Sequence, residues 1–96
     1  MNATAPQAVP DVLPERPRLA RRFRLQYEPA QTRWVLLYPE GMVQLNDSAA
    51  EILKRCDGER TVAAIVSELE SAFAIQGIGP QVEALIGEGG RRGWID

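Results

Sequence analysis

The segment Val35-Leu36-Leu37-Tyr38-Pro39-Glu40-Gly41-Met42-Val43-Gln44-Leu45-Asn46 constrains this chain more than any other. Two short runs of strand-forming residues flank Pro39-Glu40-Gly41. Proline presets φ at the second position of a turn, and glycine tolerates positive φ. The chain therefore reverses here, and the flanking runs pair antiparallel in a register that the turn sets. The first run, Arg33 to Tyr38, has the unbroken apolar centre Trp34-Val35-Leu36-Leu37. That pattern implies burial on both faces, or a face shared with a partner. Met42 to Leu45 forms the short strand after the turn. Upstream, within Leu19 to Tyr27, Phe23, Leu25 and Tyr27 alternate with Arg22, Arg24 and Gln26. Alternation of that kind predicts one more half-buried strand, broken by Glu28-Pro29-Ala30-Gln31.

The remainder reads as three helices. Asn46 or Asp47 can cap a helix running to about Cys56, with Ala49, Ile52, Leu53 and Cys56 on its inner face. Asp57-Gly58 ends it, with Gly58 placed where positive φ is wanted. Thr61 caps the second helix, whose apolar stripe is Val62, Ile65, Val66, Leu69 and Phe73. Gly77-Ile78-Gly79 is a loop. Pro80 opens the third helix, where its missing N–H costs nothing, and Val82, Leu85 and Ile86 point inward. Gly87, Gly89 and Gly90 weaken that helix by about 1 kcal/mol each relative to alanine, which predicts either fraying after Ile86 or a helix whose glycines admit close backbone approach or adjust to a bound peptide. Gly93 stops it, and Trp94-Ile95 folds back on the core. Residues 1–17 carry Pro6, Pro10, Pro14 and Pro17. They are expected to form a disordered proline-rich arm, leaving residues 18–96 as the domain.

Composition narrows the function. With 96 residues there is room for one domain. A net charge of −2 does not suit a general nucleic-acid binder or a membrane-surface protein. No apolar run approaches the length of a membrane span, and the first residues lack the apolar stretch of a signal peptide. A cytoplasmic protein is expected. The chain has one cysteine, Cys56, and no histidine. Neither an internal disulfide nor a metal or iron–sulfur site made by this chain alone is expected. No catalytic residues and no cofactor are assigned. Cys56 reads as a small core residue.

The order Leu36-Leu37-x-Pro39-Glu40, Leu45-Asn46, Ile52-Leu53 and Cys56-Asp57-Gly58-x-Arg60-Thr61 resembles the PqqD family, which serves in biosynthesis of the redox cofactor pyrroloquinoline quinone. The resemblance covers about residues 17–95. It implies an α+β, winged-helix-like fold, with a three-stranded antiparallel sheet followed by three helices. It also implies a peptide chaperone, a recognition element for a precursor peptide. Such a protein would bind the precursor PqqA and present it to the radical S-adenosylmethionine enzyme PqqE. In domains of this kind the leader adds to the third strand and packs against the third helix. The resemblance therefore implies peptide contacts from Met42, Val43, Gln44 and Leu45, with Val82, Leu85 and Ile86 walling the groove. The competing reading of Leu45, Leu85 and Ile86 is core. Glu40, Arg22 and Arg24 are candidate contacts to the enzyme or peptide. Val43→Pro is expected to remove a strand donor from the peptide. An exposed edge strand also admits a homodimer.

Two other readings compete. A winged-helix nucleic-acid-binding regulator needs a basic start to its third helix, but that stretch, Pro80-Gln81-Val82-Glu83-Ala84-Leu85, has Glu83 and no Lys or Arg. A small enzyme would draw on Asp47, Glu51, Asp57 and Glu59, yet no nucleophile–base pair or phosphate loop accompanies them.

Overall fold

A computed structural model describes residues 12–96. Three strands come first: β1 (Arg24–Glu28), β2 (Arg33–Tyr38) and β3 (Gly41–Gln44). Three helices follow: α1 (Asp47–Lys54), α2 (Val62–Phe73) and α3 (Gly79–Arg91). The sheet is antiparallel in the order β1-β2-β3. The expected architecture, a three-stranded antiparallel sheet followed by three helices, is the one observed. Among the described residues no helix is long and apolar enough to cross a membrane.

Register assigns the two faces. Leu36 stands opposite Leu25 on one side and Val43 on the other, and these three face the helices. Val35 stands between Gln26 and Gln44 on the opposite face. Both Val35 and Leu36 are 0% exposed. The apolar centre of β2 is therefore buried on both faces, as expected. Leu36 joins Ile52, Leu53, Ile65, Leu69 and Ile86 in one core, which α1 closes against the sheet.

The first strand is shorter than the alternation predicts. Phe23 N–H donates to the Ala20 carbonyl at 2.9 Å, a turn that removes Leu19 to Phe23 from the ladder. Leu19 instead bridges Ile95. Between β1 and β2, Gln31 N–H donates to Glu28 and Thr32 N–H to Pro29, and Thr32 closes the loop at φ +49°.

The passage Cys56-Asp57-Gly58-Glu59-Arg60-Thr61 is a structural joint. Cys56 is buried, and its thiol donates to the Ile52 carbonyl at 3.4 Å. The Asp57 carboxylate accepts from the amides of Glu59 and Arg60, and Gly58 takes φ +81°. Thr61 Oγ1 accepts from Ala64 N–H and caps α2. Glu68 bridges Arg55 and Arg60 at 2.7 and 3.0 Å, tying the end of α1 to α2.

Of the two readings of the α3 glycines, the structure takes close approach over fraying, and α3 continues to Arg91. Gly87 and Gly89 are buried there, and Ile95 packs onto Gly89. Trp94 and Ile95 are buried, so the chain end does fold back on the core. Of the expected arm, residues 1–11 lie outside the described residues. Leu13 packs against the core, Pro17 is fully buried, and its carbonyl accepts from Gly58 N–H at 2.9 Å. Arg16 adds a 2.6 Å hydrogen bond to the Glu59 carbonyl. Ordered chain thus begins ahead of residue 18.

Candidate functional site

β3 is an edge strand, so half of its backbone groups have no partner in the sheet. Which half follows from the ladder. In an antiparallel pair, residues alternate between exchanging both backbone bonds with the partner and turning both groups away. Leu45 N–H donates to the Trp34 carbonyl at 3.0 Å. The same register pairs Val43 with Leu36 and Gly41 with Tyr38, so these residues also bond to β2. Met42 and Gln44 are left with N–H and C=O pointing out from the sheet edge. The expectation for Val43 is corrected by this parity: its amide serves β2, and Val43→Pro would break the hairpin rather than a peptide contact.

An apolar hollow of about 550 Å³ opens where β3 ends. Asp47, Ser48, Glu51 and Ile52 of α1 form one wall, and Leu69 and Phe73 of α2 form another. Ile75, Ile78, Gln81 and Val82 close it from the α2–α3 connection and the start of α3. Phe73 is 50% exposed and Ile75 43%, unusual for large apolar side chains and suited to a contact surface. The connection is held in shape. Ala74 ends α2 in a left-handed conformation at φ +53°, and the Glu70 carboxylate accepts from the amides of Gly77 and Ile78 at 2.9 and 3.2 Å. This clamp fixes the segment that carries Ile75 and Ile78.

The polar rim is ionised and partly occupied. Hydrogen bonds from Lys54 and then Arg55 hold the Glu51 carboxyl below its usual range, so it is an anion at neutral pH. Asn46 Oδ1 accepts from Ala49 N–H and caps α1 beside the hollow.

The residues expected to form the site are divided by the structure. Met42 is 46% exposed, Gln44 is exposed, and Val43 is half-buried against the core. Leu45 is core. Val82 is buried yet reaches the hollow from below. Leu85 is half-buried against the core and does not line the hollow. Ile86 is 0% exposed and borders a different hollow, with Leu13 and Gly90. Arg22 and Glu40, taken as separate contacts, pair with each other at 3.0 Å. Arg24 lies exposed on the sheet face away from the helices, opposite Leu37. Sequence reasoning did not assign Phe73, Ile75 or Ile78 to the site. The available signal was Ile75 and Ile78, two isoleucines in a connection that would otherwise be polar.

Cys56 sits in surroundings that disfavour the thiolate. Burial, with the Asp57 charge next to it, pushes its thiol up to about 12. Among the described residues no group of three or more His, Cys, Asp or Glu side chains is arranged to hold a metal ion.

Known proteins are similar to this chain in sequence and fold. The family model described as coenzyme PQQ synthesis protein D (PqqD) matches residues 33–95. A protein of Methylococcus capsulatus named PqqA binding protein is 44% identical over 86 residues, spanning 90% of this chain and 89% of that one. A protein of the same name from Pseudomonas aeruginosa is 53% identical over 81 residues, spanning 83% of this chain and 88% of that one. A solution NMR structure of the PqqD truncation of Methylobacterium extorquens PqqCD superposes with a TM-score of 0.66 at 30% identity. The match covers 83% of this chain and 87% of that one, which is described as a stand-alone recognition element for a ribosomally synthesised, modified peptide.

Proposed function

The chain belongs to the PqqD family, and on that premise we propose that it is a non-catalytic binding module that captures the precursor peptide PqqA and presents it to PqqE. The observation that carries this reading is the free edge of β3, from which the chain runs directly into Asp47 and Ser48, the first wall of the apolar hollow. An extended peptide pairing with Met42 and Gln44 gains main-chain hydrogen bonds, and its alternate side chains point toward the hollow. Main-chain pairing supplies affinity, and the hollow supplies selectivity.

On this reading the protein contributes no chemical step. Holding the leader converts a bimolecular encounter of precursor and enzyme into a local one, which raises the effective concentration of the peptide core at the active site. PqqE, a radical S-adenosylmethionine enzyme, would supply the clusters and link Glu and Tyr side chains of the precursor. A ribosomally made precursor puts that encounter in the cytoplasm. The competing nucleic-acid reading is disfavoured by α3, whose first two turns carry Glu83 and no Lys or Arg.

A titration of isotope-labelled protein with synthetic PqqA tests the proposal. Amide shifts should cluster on Met42, Gln44, Ser48 and the segment from Phe73 to Gln81. Saturable binding with shifts confined to another surface would refute the strand-addition geometry. Absence of binding both alone and with PqqE present would refute the partner.

A further inference from the structure

One face of the sheet has no helix over it among the described residues, since α1 packs on the other. Its two ends differ. At the β1–β2 loop end the polar side chains satisfy one another. Gln26 donates to Glu28 at 2.8 Å, Arg33 to Gln44 at 2.9 Å, and Gln44 to Gln31 at 3.0 Å. At the Pro39-Glu40 end, Arg24, Leu37 and Met42 form one cross-strand row. A shallow hollow of about 560 Å³ lies beside that row, lined by Arg21, Arg24, Leu37, Tyr38 and Pro39 among others. Arg22 is paired with Glu40. Arg21 and Arg24 are exposed and have no ion pair or hydrogen-bonded side-chain partner among the described residues.

The charge of the whole molecule reinforces this local pattern. Residues 12–45 carry six arginines against three glutamates, and residues 46–96 carry nine acidic against five basic side chains. An acidic partner is drawn to the sheet and repelled from the helices. Two unpaired guanidiniums beside an apolar row suit carboxylates that flank an apolar side chain, because arginine grips a carboxylate with two parallel bonds. Two such groups are too few for a polyphosphate backbone, and the acidic helical layer opposes one.

Met42 connects this face to the peptide site. Its backbone belongs to the free edge of β3, while its side chain belongs to the basic row. A protein seated on the row therefore leaves the edge open and lies next to whatever pairs with it. We infer that the modifying enzyme docks on the sheet's helix-free face, through an acidic patch that engages Arg21 and Arg24, while the peptide occupies the edge of β3. This inference rests on the peptide-presenting function proposed above.

The test compares two double variants with the same change in net charge. Arg21→Gln with Arg24→Gln removes the patch. Ala63→Glu with Ala64→Glu adds two charges to exposed positions of α2. Affinities for synthetic PqqA and for purified PqqE are measured by calorimetry at two salt concentrations, with melting curves confirming the fold. The arginine variant should bind PqqE at least about tenfold more weakly, mainly through slower association, and with a flatter salt dependence. Its PqqA affinity should stay within about twofold, and the alanine variant should retain PqqE binding. Unchanged PqqE affinity in the arginine variant, or equal losses in both variants, would overturn the docking face. A parallel loss of PqqA affinity would assign the arginines to the peptide site instead and overturn it as well. If the unaltered chain bound neither partner, the failure would lie in the presenting function itself.

Discussion

Gly89 and Gly90 are neighbours in α3, yet alanine should act on them in opposite directions. In a helix interior alanine is favoured over glycine by about 0.8–1.0 kcal/mol. At Gly90 a new Cβ meets nothing within 4 Å, and, the position lying in the last turn of α3, part of that gain is realised. Gly90→Ala should raise the melting temperature, by less than the ~4–8 °C that about 1 kcal/mol produces in a domain of this size. At Gly89 a new Cβ would lie 2.7 Å from Ile95 Cδ1 and 3.1 Å from its Cγ1. The Ile95 backbone is pinned, since its N–H and that of Trp94 both donate to the Gly89 carbonyl at 3.3 and 2.8 Å, and relief must come from rotating a side chain that is itself buried. Overpacking of this kind costs about 1–3 kcal/mol. Set against the helix gain, Gly89→Ala should come out between neutral and about 2 kcal/mol destabilising. Ile95→Val removes the offending Cδ1 and should itself cost about 0.5–1.5 kcal/mol. Combined with Gly89→Ala it should cost less than the sum of the two, with a coupling of at least about 0.5 kcal/mol. Urea and thermal melts of the four proteins, followed by far-ultraviolet circular dichroism, measure all of this. A Gly89→Ala protein as stable as Gly90→Ala, or strict additivity with Ile95→Val, would refute the close packing on which the reasoning depends.

Ladder parity separates two proline substitutions. Met42→Pro should weaken PqqA binding while the melting curve stays near that of the parent, whereas Val43→Pro should lower stability by breaking the β2–β3 hairpin. Equal effects on both quantities would contradict the parity, and calorimetry with parallel melts decides. The Cys56 thiol, raised to about 12, should react with a disulfide reagent at pH 8 only as fast as the domain opens, and react promptly in denaturant; fast labelling of the native protein would contradict its burial. Acid should loosen the joint between α1 and α2. Hydrogen bonds from Arg60 and Arg55 hold the Glu68 carboxyl below its usual range, and backbone amides do the same for Asp57. Both carboxylates bind protons less readily folded than unfolded, so their stabilisation is complete above the ordinary carboxylate range and fades as pH falls through their lowered values. Glu68→Gln should flatten the acid limb of a stability–pH curve; an unchanged limb would remove Glu68 from that role.

Local chemistry made much of the fold legible, and longer-range packing accounts for the rest. Pro39 and Gly41 announce a reversal, Asn46 and Thr61 announce helix starts, and Gly58 announces a stop. Each acts through its own backbone or one neighbouring turn. Asn46 and Thr61 cap their helices and Gly58 takes positive φ, but α1 already ends at Lys54, and Gly41 is the first residue of β3 without positive φ. Thr32 and Ala74 also take positive φ, but a β-branched residue and an alanine give no such signal, so the end of α2 and the form of the first hairpin were hidden. The two readings of Gly89, fraying and close approach, could not be separated for a related reason. Propensity counts what a glycine lacks within its own helix, whereas this one accommodates Ile95, six positions along the chain. The site follows the same division. The identity of the edge strand was readable from strand order alone. Its outward amides were not, because parity depends on one hydrogen bond, Leu45 to Trp34, that fixes which residues of β3 face β2. Periodicity puts Val82, Leu85 and Ile86 on one face of α3 without saying which neighbours that face meets. Only the first of the three lines the hollow, while Phe73 and Ile75, next to the loop that Glu70 clamps, supply exposed apolar surface. On the function proposed above, recognition would draw on two short segments distant in sequence, the free edge at Met42–Gln44 and the exposed apolar turn at Phe73–Ile78.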